Sequence, residues 1–275
     1  MECRLPRISV HYESFGAGRP LVVLPGWPDD WTVPADYLEP VLHRREGWRR
    51  IYLDLPGRGG TPSASWITTP DEVLEIVLQV LDRVIPGERF VLAGHSAGGY
   101  LARAVLHRRM AFVDGLLQVV PEFPDDEEPL PDPGPIVADF ELVERIRGEL
   151  GPELAIAFAS RLVVQTPEIY ERFKALVPGF SRNDAEFLAR LPHTVDFDVD
   201  RLPTPFPRPA LFVLGRQDAV VGYRGPLRLM DTYPRGTVAV LDRAGHALPW
   251  EQEGLFRALL VDWLTRVEEG GSTAE

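Results

Sequence analysis

The chain has 275 residues, 45% of them hydrophobic, and 41 acidic against 29 basic side chains leave a formal net charge of −12. That length suits one large α/β domain, alone or with an insertion, and the apolar fraction excludes an intrinsically disordered chain. So acidic a chain is repelled by phosphate backbones and anionic bilayers, which argues against nucleic-acid and membrane partners, and Cys3, the single cysteine, excludes intrachain disulfides, cysteine-rich zinc sites and iron–sulfur clusters.

Residues 1–14 alternate polar and apolar without an apolar core of signal-peptide length. No run approaches the roughly 18 apolar residues of a transmembrane helix, so a cytoplasmic location is expected. Strands are expected at Ile8–Glu13, Leu21–Leu24, Arg50–Leu53, Phe90–Ala93 and Leu116–Val120, separated by helical periodicity as in parallel βαβ units. One helix begins at Thr69, with Pro70 in its first turn and Glu72 completing a capping box. Its Val73, Ile76, Val77, Val80, Leu81 and Val84 share one face. A second helix spans Ala97–Arg109.

Residues 121–135 are proline-rich and acidic, hence a loop. Helical segments near 136–150, 152–165, 167–176 and 183–190 follow, and Leu202–Pro209 closes the region. The alternation then resumes with Ala210–Leu214, a helix near Pro226–Thr232, Thr237–Leu241 and a terminal helix from about Trp250. The pattern describes a mostly parallel central sheet with helices on both faces: a core at 1–120 and 206–270, a helical cap insertion at 121–205, and a flexible tail at 271–275. The polar stretch from Glu268 onward is expected to fray.

The chemistry centres on Gly94-His95-Ser96-Ala97-Gly98, a G-x-S-x-G run where a buried strand turns into a helix. A serine held in so sharp a turn needs neighbours without side chains two residues before and after, here Gly94 and Gly98. Its hydroxyl then stands at the carboxyl edge of the sheet, and the Ala97 N–H, at a helix N-terminus, faces a developing oxyanion. A serine hydroxyl needs a base. Of six histidines, His11 lies in the first strand, His43 on an early helix and His193 in the insertion; His107 reads as a solvated helix end, and the His95 ring is expected to point away from the oxyanion side. His246, in the Gly245-containing loop past the last strand, is the candidate base. Asp218, in the loop opened by Gly215, is the candidate orienting carboxylate. The order Ser96, Asp218, His246 matches this architecture and not those of chymotrypsin or subtilisin.

With these residues the chain resembles the α/β-hydrolase superfamily, as a capped, serine-nucleophile, esterase-like member. Leu24-Pro25-Gly26-Trp27-Pro28-Asp29-Asp30 resembles the family's oxyanion loop, Asp54-Leu-Pro-Gly57-Arg-Gly59-Gly60-Thr61 its D-x-P-G-x-G-x-S segment, and Gly245-His246 with Glu251 its G-H…E ending. The resemblance implies an oxyanion hole from the Trp27 and Ala97 backbone N–H groups, supported by Gly26, with the Trp27 ring walling an acyl pocket or simply packing. Pro25 departs from the usual histidine, so the hydrogen bonds that support this loop must differ. Glu122 stands where some members place the acid; loop geometry favours Asp218.

The resemblance implies a cofactor-free serine hydrolase that cleaves a small or medium, largely apolar ester or related acyl compound through an acyl-enzyme. Serine at the elbow argues against haloalkane dehalogenase and epoxide hydrolase. Carboxylesterase, lactonase, C–C bond hydrolase, aminopeptidase and acyltransferase stay open, as do a cofactor-independent oxygenase or perhydrolase and a small-ligand receptor. No metal site is expected: Asp196, Asp198 and Asp200 alternate like a calcium loop, but Arg201 takes the glycine position and Pro207 the twelfth. These aspartates, and Glu122, Asp125, Asp126, Glu127 and Glu128, read as solvated. Phe140, Ile156, Phe158, Phe173 and Phe180 have a spacing that serves packing within the insertion or substrate contact. The oligomeric state is not legible in the sequence.

Overall fold

The computed structural model describes residues 1–124, 129–132, 134–180, 182–192 and 194–271. The acidic Asp125–Glu128, His193 and the tail beyond Gly271 therefore lie outside the described residues, as does the side chain of Phe180. The described strands are β1 (Glu2–Arg4), β2 (Ser9–Phe15), β3 (Arg19–Leu24), β4 (Trp48–Leu53), β5 (Phe90–His95), β6 (Val113–Val119), β7 (Ala210–Gly215) and β8 (Gly236–Leu241). They form one sheet ordered β1-β2-β4-β3-β5-β6-β7-β8. The β1–β2 and β2–β4 pairs are antiparallel and all others parallel.

The central strands are apolar throughout because both faces of the sheet are covered. Val22, Leu24, Leu92, Phe212 and Leu214 face one core, shared with α2 (Pro70–Val84) and α3 (Ala97–Arg109). Their chain neighbours Leu21, Val23, Val91, Leu211 and Val213 face the other, shared with α1 (Thr32–Leu42) and the C-terminal helix. The α2 helix starts as expected: Thr69 accepts from Glu72 N, and the Glu72 carboxylate accepts from Thr69 N.

Four helices separate β6 from β7: α4 (Phe140–Leu150), α5 (Pro152–Arg161), α6 (Pro167–Phe180) and α7 (Ala185–Arg190). Leu142, Ile146, Phe158, Tyr170 and Phe173 build a core of their own. Phe140 and Ile156 are exposed instead, so their spacing did not mark packing within that core.

The chain end also differs from expectation. Gly225–Leu229 is a 3₁₀ turn, and α8 (Leu248–Glu251) precedes the long α9 (Glu253–Gly271). Glu268 does not fray. Its carboxylate accepts from Arg45 Nη2 at 2.6 Å and Trp48 Nε1 at 2.8 Å, pinning the last turn to the body of the protein. The short β1 strand escaped the sequence because three residues carry too little alternation to register.

Chain order sets the position of the site. From β3 the chain crosses to β4 on one side, then returns to β5 on the other, so the loops leaving β3 and β5 diverge at their carboxyl ends. Such a switch point opens a crevice between them. Trp27 leaves β3 there, and Ser96 leaves β5.

Candidate active site

Ser96 sits between β5 and α3 with φ 53° and ψ −123°, a conformation that L-residues adopt only under constraint. The constraint is visible: Ser96 N donates to Val119 O at 3.0 Å, and Ser96 O accepts from Gly99 N at 2.8 Å and Glu122 N at 3.0 Å. The flanking glycines are required by space. A Cβ on Gly94 would lie 2.3 Å from Gly98 O, and one on Gly98 would lie 2.3 Å from Pro25 O. Both collisions are with backbone, which cannot swing away.

The structure brings three widely separated side chains together. Ser96 Oγ is 3.0 Å from His246 Nε2, and His246 Nδ1 is 2.9 Å from Asp218 Oδ2. All three residues are buried, Asp218 completely. The other Asp218 oxygen accepts from Val220 N at 2.9 Å and Val221 N at 3.1 Å, which fixes the carboxylate. Gly215 makes the approach possible: a Cβ there would meet Gly245 O at 2.5 Å, in the loop carrying His246. The carboxylate that meets His246 Nδ1 is that of Asp218, while the backbone of Glu122 serves the elbow. Its N–H holds Ser96 O and its carbonyl accepts from Arg103 Nη2 at 2.9 Å.

At Ala97, the residue after Ser96, lies a narrow cleft of about 50 Å³, lined among others by Trp27, Ala97, Arg58, Tyr100 and Leu101, and by Glu122, Leu191, Pro192 and Val195 from the segment between β6 and β7. Trp27 and Ala97 thus reach one cavity from two loops. Gly26, before Trp27, packs so closely that a Cβ would lie 2.8 Å from Asp29 Oδ2 and 3.1 Å from Ser96 Cβ.

The family model for the alpha/beta hydrolase family matches residues 21–259. The chain belongs to the alpha/beta hydrolase family. Among solved structures, this hydrolase is similar to an alpha/beta superfamily hydrolase from Oenococcus oeni PSU-1, with TM-score 0.84 and 28% identity over 98% of this chain and 99% of that one. A thermophilic esterase from Thermogutta terrifontis shares the fold, with TM-score 0.65 and 23% identity over 94% of each chain. Among curated proteins, it is 25% identical to a pimeloyl-[acyl-carrier protein] methyl ester esterase of Legionella pneumophila over 94% of this chain and 100% of the relative.

Around its site this hydrolase carries charges that sequence reasoning passed over. A second cavity, about 30 Å³, opens on the far side of His246 and is lined by His95, Asp29, Tyr37, Arg161 and Trp250 among others. The His95 and His246 ring centroids are 5.6 Å apart. Asp29 Oδ2 lies 3.2 Å from His95 Nδ1, at an angle that leaves that nitrogen without a good hydrogen bond. Burial pushes the Asp29 carboxyl up, but the nearby His95, Arg161 and His246 outweigh it and hold the pKa below the usual range. Burial likewise holds His95 below an ordinary imidazole.

Glu251 clasps two loops at once. One oxygen accepts from Val163 N at 2.6 Å and Val164 N at 3.0 Å, the other from Gly245 N at 2.6 Å. Burial exceeds the effect of those donors and raises its carboxyl to about 7. His246 N, in turn, donates to Arg161 O at 2.9 Å. On the opposite rim, Arg182 Nη2 donates to Asp30 Oδ2 at 2.7 Å and Asn183 Nδ2 to Pro28 O at 2.7 Å. The insertion is therefore hydrogen-bonded both to the loop bearing His246 and to the loop bearing Trp27.

Arg103 is fully buried and donates to Asp200 Oδ1 at 2.7 Å and Gln118 Oε1 at 3.1 Å. Asp200 is thus the counter-ion of a buried guanidinium and not part of a solvated edge. The signal was present: an arginine flanked by Ala102 and Ala104 in an apolar helix needs a partner. Among the described residues no cluster of His, Cys, Asp and Glu could hold a metal ion, and no helix is long and apolar enough to cross a membrane.

Proposed function

We propose that this hydrolase cleaves a small, largely apolar carboxylic ester through an acyl-enzyme on Ser96. The reading rests on one observation: the hydrogen-bonded line from Ser96 Oγ through His246 to Asp218, ending beside the cleft that Trp27 and Ala97 line. In the first step Oγ bonds to the ester carbonyl carbon while Nε2 of His246 takes the hydroxyl proton. The carbonyl oxygen becomes an oxyanion facing the Trp27 and Ala97 amides, each donor contributing about 3–4 kcal/mol to lowering the barrier. Pro28 has no N–H, which leaves Trp27 as the donor on its loop. Collapse breaks the ester C–O bond, and the imidazolium passes its proton to the departing alkoxide. Water, deprotonated by the same imidazole, then releases the acid and restores Ser96.

A cleft of about 50 Å³ suits a short acyl group. Leu191, Pro192 and Val195 on its outer wall make the insertion, residues 121–205, a cap that selects the substrate. The Legionella and Thermogutta relatives named as esterases support ester chemistry, as does a serine at the elbow.

The test is direct. A fluorophosphonate should add one label, on Ser96 by peptide mass spectrometry, and p-nitrophenyl acetate and butyrate should turn over faster than the octanoate. Ser96→Ala should lose both labelling and turnover. Labelling at another residue, or undiminished turnover in Ser96→Ala, contradicts the proposal.

A further inference from the structure

The loop carrying Trp27 begins with Pro25, whose side chain donates no hydrogen bond, so its support must come from elsewhere. It comes from Arg58. Arg58 Nη1 donates to Gly26 O at 2.9 Å, and its guanidinium carbon lies 4.8 Å from the centroid of the Trp27 ring. The same carbonyl also accepts from Asp29 N at 3.1 Å. Arg58 itself is held rigidly, with its N–H on Leu55 O at 3.1 Å and its carbonyl on Thr61 N at 3.0 Å.

Two features separate this guanidinium from an ordinary structural arginine. It is only 5% exposed, yet no carboxylate of the described residues lies within 4.0 Å of it, and its Nε has no partner among them. Burial brings its pKa down to about 10, which leaves it cationic at neutral pH. Asp29 and Asp54 favour its charge only from beyond contact distance, and a buried cation with no carboxylate touching it is costly, so its position calls for a function.

The carbonyl it holds belongs to the Gly26–Trp27 peptide, and the N–H of that same unit is the Trp27 donor proposed above. A peptide group is conjugated, so a cation on its oxygen draws density from nitrogen and makes the N–H more positive. We propose that Arg58 is a positioning residue for the oxyanion hole: its guanidinium, bonded to Gly26 O and stacked on Trp27, orients and polarises the Trp27 amide. This rests on the reading of Ser96 and Trp27 given under Proposed function.

The experiment compares Arg58→Lys, Arg58→Gln and Arg58→Met with the parent, each normalised by fluorophosphonate titration so that only folded sites are counted. On p-nitrophenyl acetate, kcat should fall in the order parent, Lys, Gln, Met, reaching about tenfold to a hundredfold in the last, a fraction of what deleting a donor outright costs. KM should stay within about threefold. The Ki of an aryl trifluoromethyl ketone, which binds as a tetrahedral anion, should rise in step with the loss of kcat. If Arg58→Met does not accumulate, Lys against Gln carries the same comparison, since Gln keeps a donor and drops the charge. Unchanged kcat per titrated site, or a rise in KM alone, overturns the proposal for Arg58. A parent that neither labels at Ser96 nor turns over overturns the underlying reading, a result seen without any Arg58 variant.

Discussion

Replacing Asp218 with asparagine changes one atom and should disable the site without unfolding it. Oδ1 of Asp218 accepts two backbone N–H groups, from Val220 at 2.9 Å and Val221 at 3.1 Å, while Oδ2 is 2.9 Å from His246 Nδ1. An asparagine has a single oxygen, and those two N–H groups claim it. Its NH₂ must then face Nδ1, which can only accept, so the imidazole proton moves to Nε2, the nitrogen aimed at Ser96 Oγ. That tautomer cannot take the hydroxyl proton. Turning the amide over restores the productive tautomer but leaves two part-buried N–H groups without acceptors, at about 1–3 kcal/mol each at most. The active rotamer is thus populated between about one part in thirty and one in twenty-five thousand, a range that contains the roughly 10⁴ loss in kcat for the same change in a serine protease. Steady-state hydrolysis of p-nitrophenyl acetate should show this fall in kcat with KM within a few-fold, and circular dichroism should show an unaltered fold. A kcat within about fivefold of the parent, together with a large loss in Glu122→Gln, refutes the reasoning and moves the orienting role to Glu122.

Three further outcomes follow from packing and charge. Gly98→Ala places a methyl 2.3 Å from Pro25 O and 2.4 Å from Leu24 O, so urea denaturation should report a loss of about 3 kcal/mol or more; a loss below 1 kcal/mol means the elbow can open. Arg103→Met leaves Asp200 and Gln118 without their buried donor and should cost about 3–5 kcal/mol by the same assay, whereas a neutral effect would mark the cluster as solvated. Glu251 has its carboxyl raised from 4.5 to about 7 by burial, so the stability it gains from protonation is full below pH 4.5 and is lost as pH rises through 7. Between pH 4.5 and 8 the parent should therefore lose about 3 kcal/mol more than Glu251→Gln does. Parallel urea midpoints for the two proteins across that range rule this out.

The sequence carried the site further than it carried the periphery. Gly94, Gly98 and the order Ser96, Asp218, His246 were legible because an elbow is a local steric requirement, and because loops after parallel strands end at one edge of the sheet. The partners of Arg58, Arg103 and Glu251 were not legible. Their contacts join residues 32, 97 and 88 positions apart, between elements whose relative placement no local pattern specifies. Helix ends misled for the same reason. Glu268 looks like the start of a polar tail, and only Arg45 and Trp48, far upstream, hold it in α9. Phe140 and Ile156 have the spacing of buried residues yet face outward, since periodicity says which residues share a face and not what that face meets.

The double attachment of the insertion has a consequence for how such an enzyme diversifies. Arg182 and Asn183 tie it to the loop of Trp27, while Arg161, Val163 and Val164 tie it to the loop of His246. Grafting a foreign segment in place of the helices between β6 and β7 would sever both seams and disturb the Trp27 and His246 loops together. On the function proposed above, new preferences are reached most cheaply by point changes in the cleft wall, at Leu191 or Val195, with the stitching left in place. Chimeras need Asp30, Glu251 and their partners transplanted as matched sets.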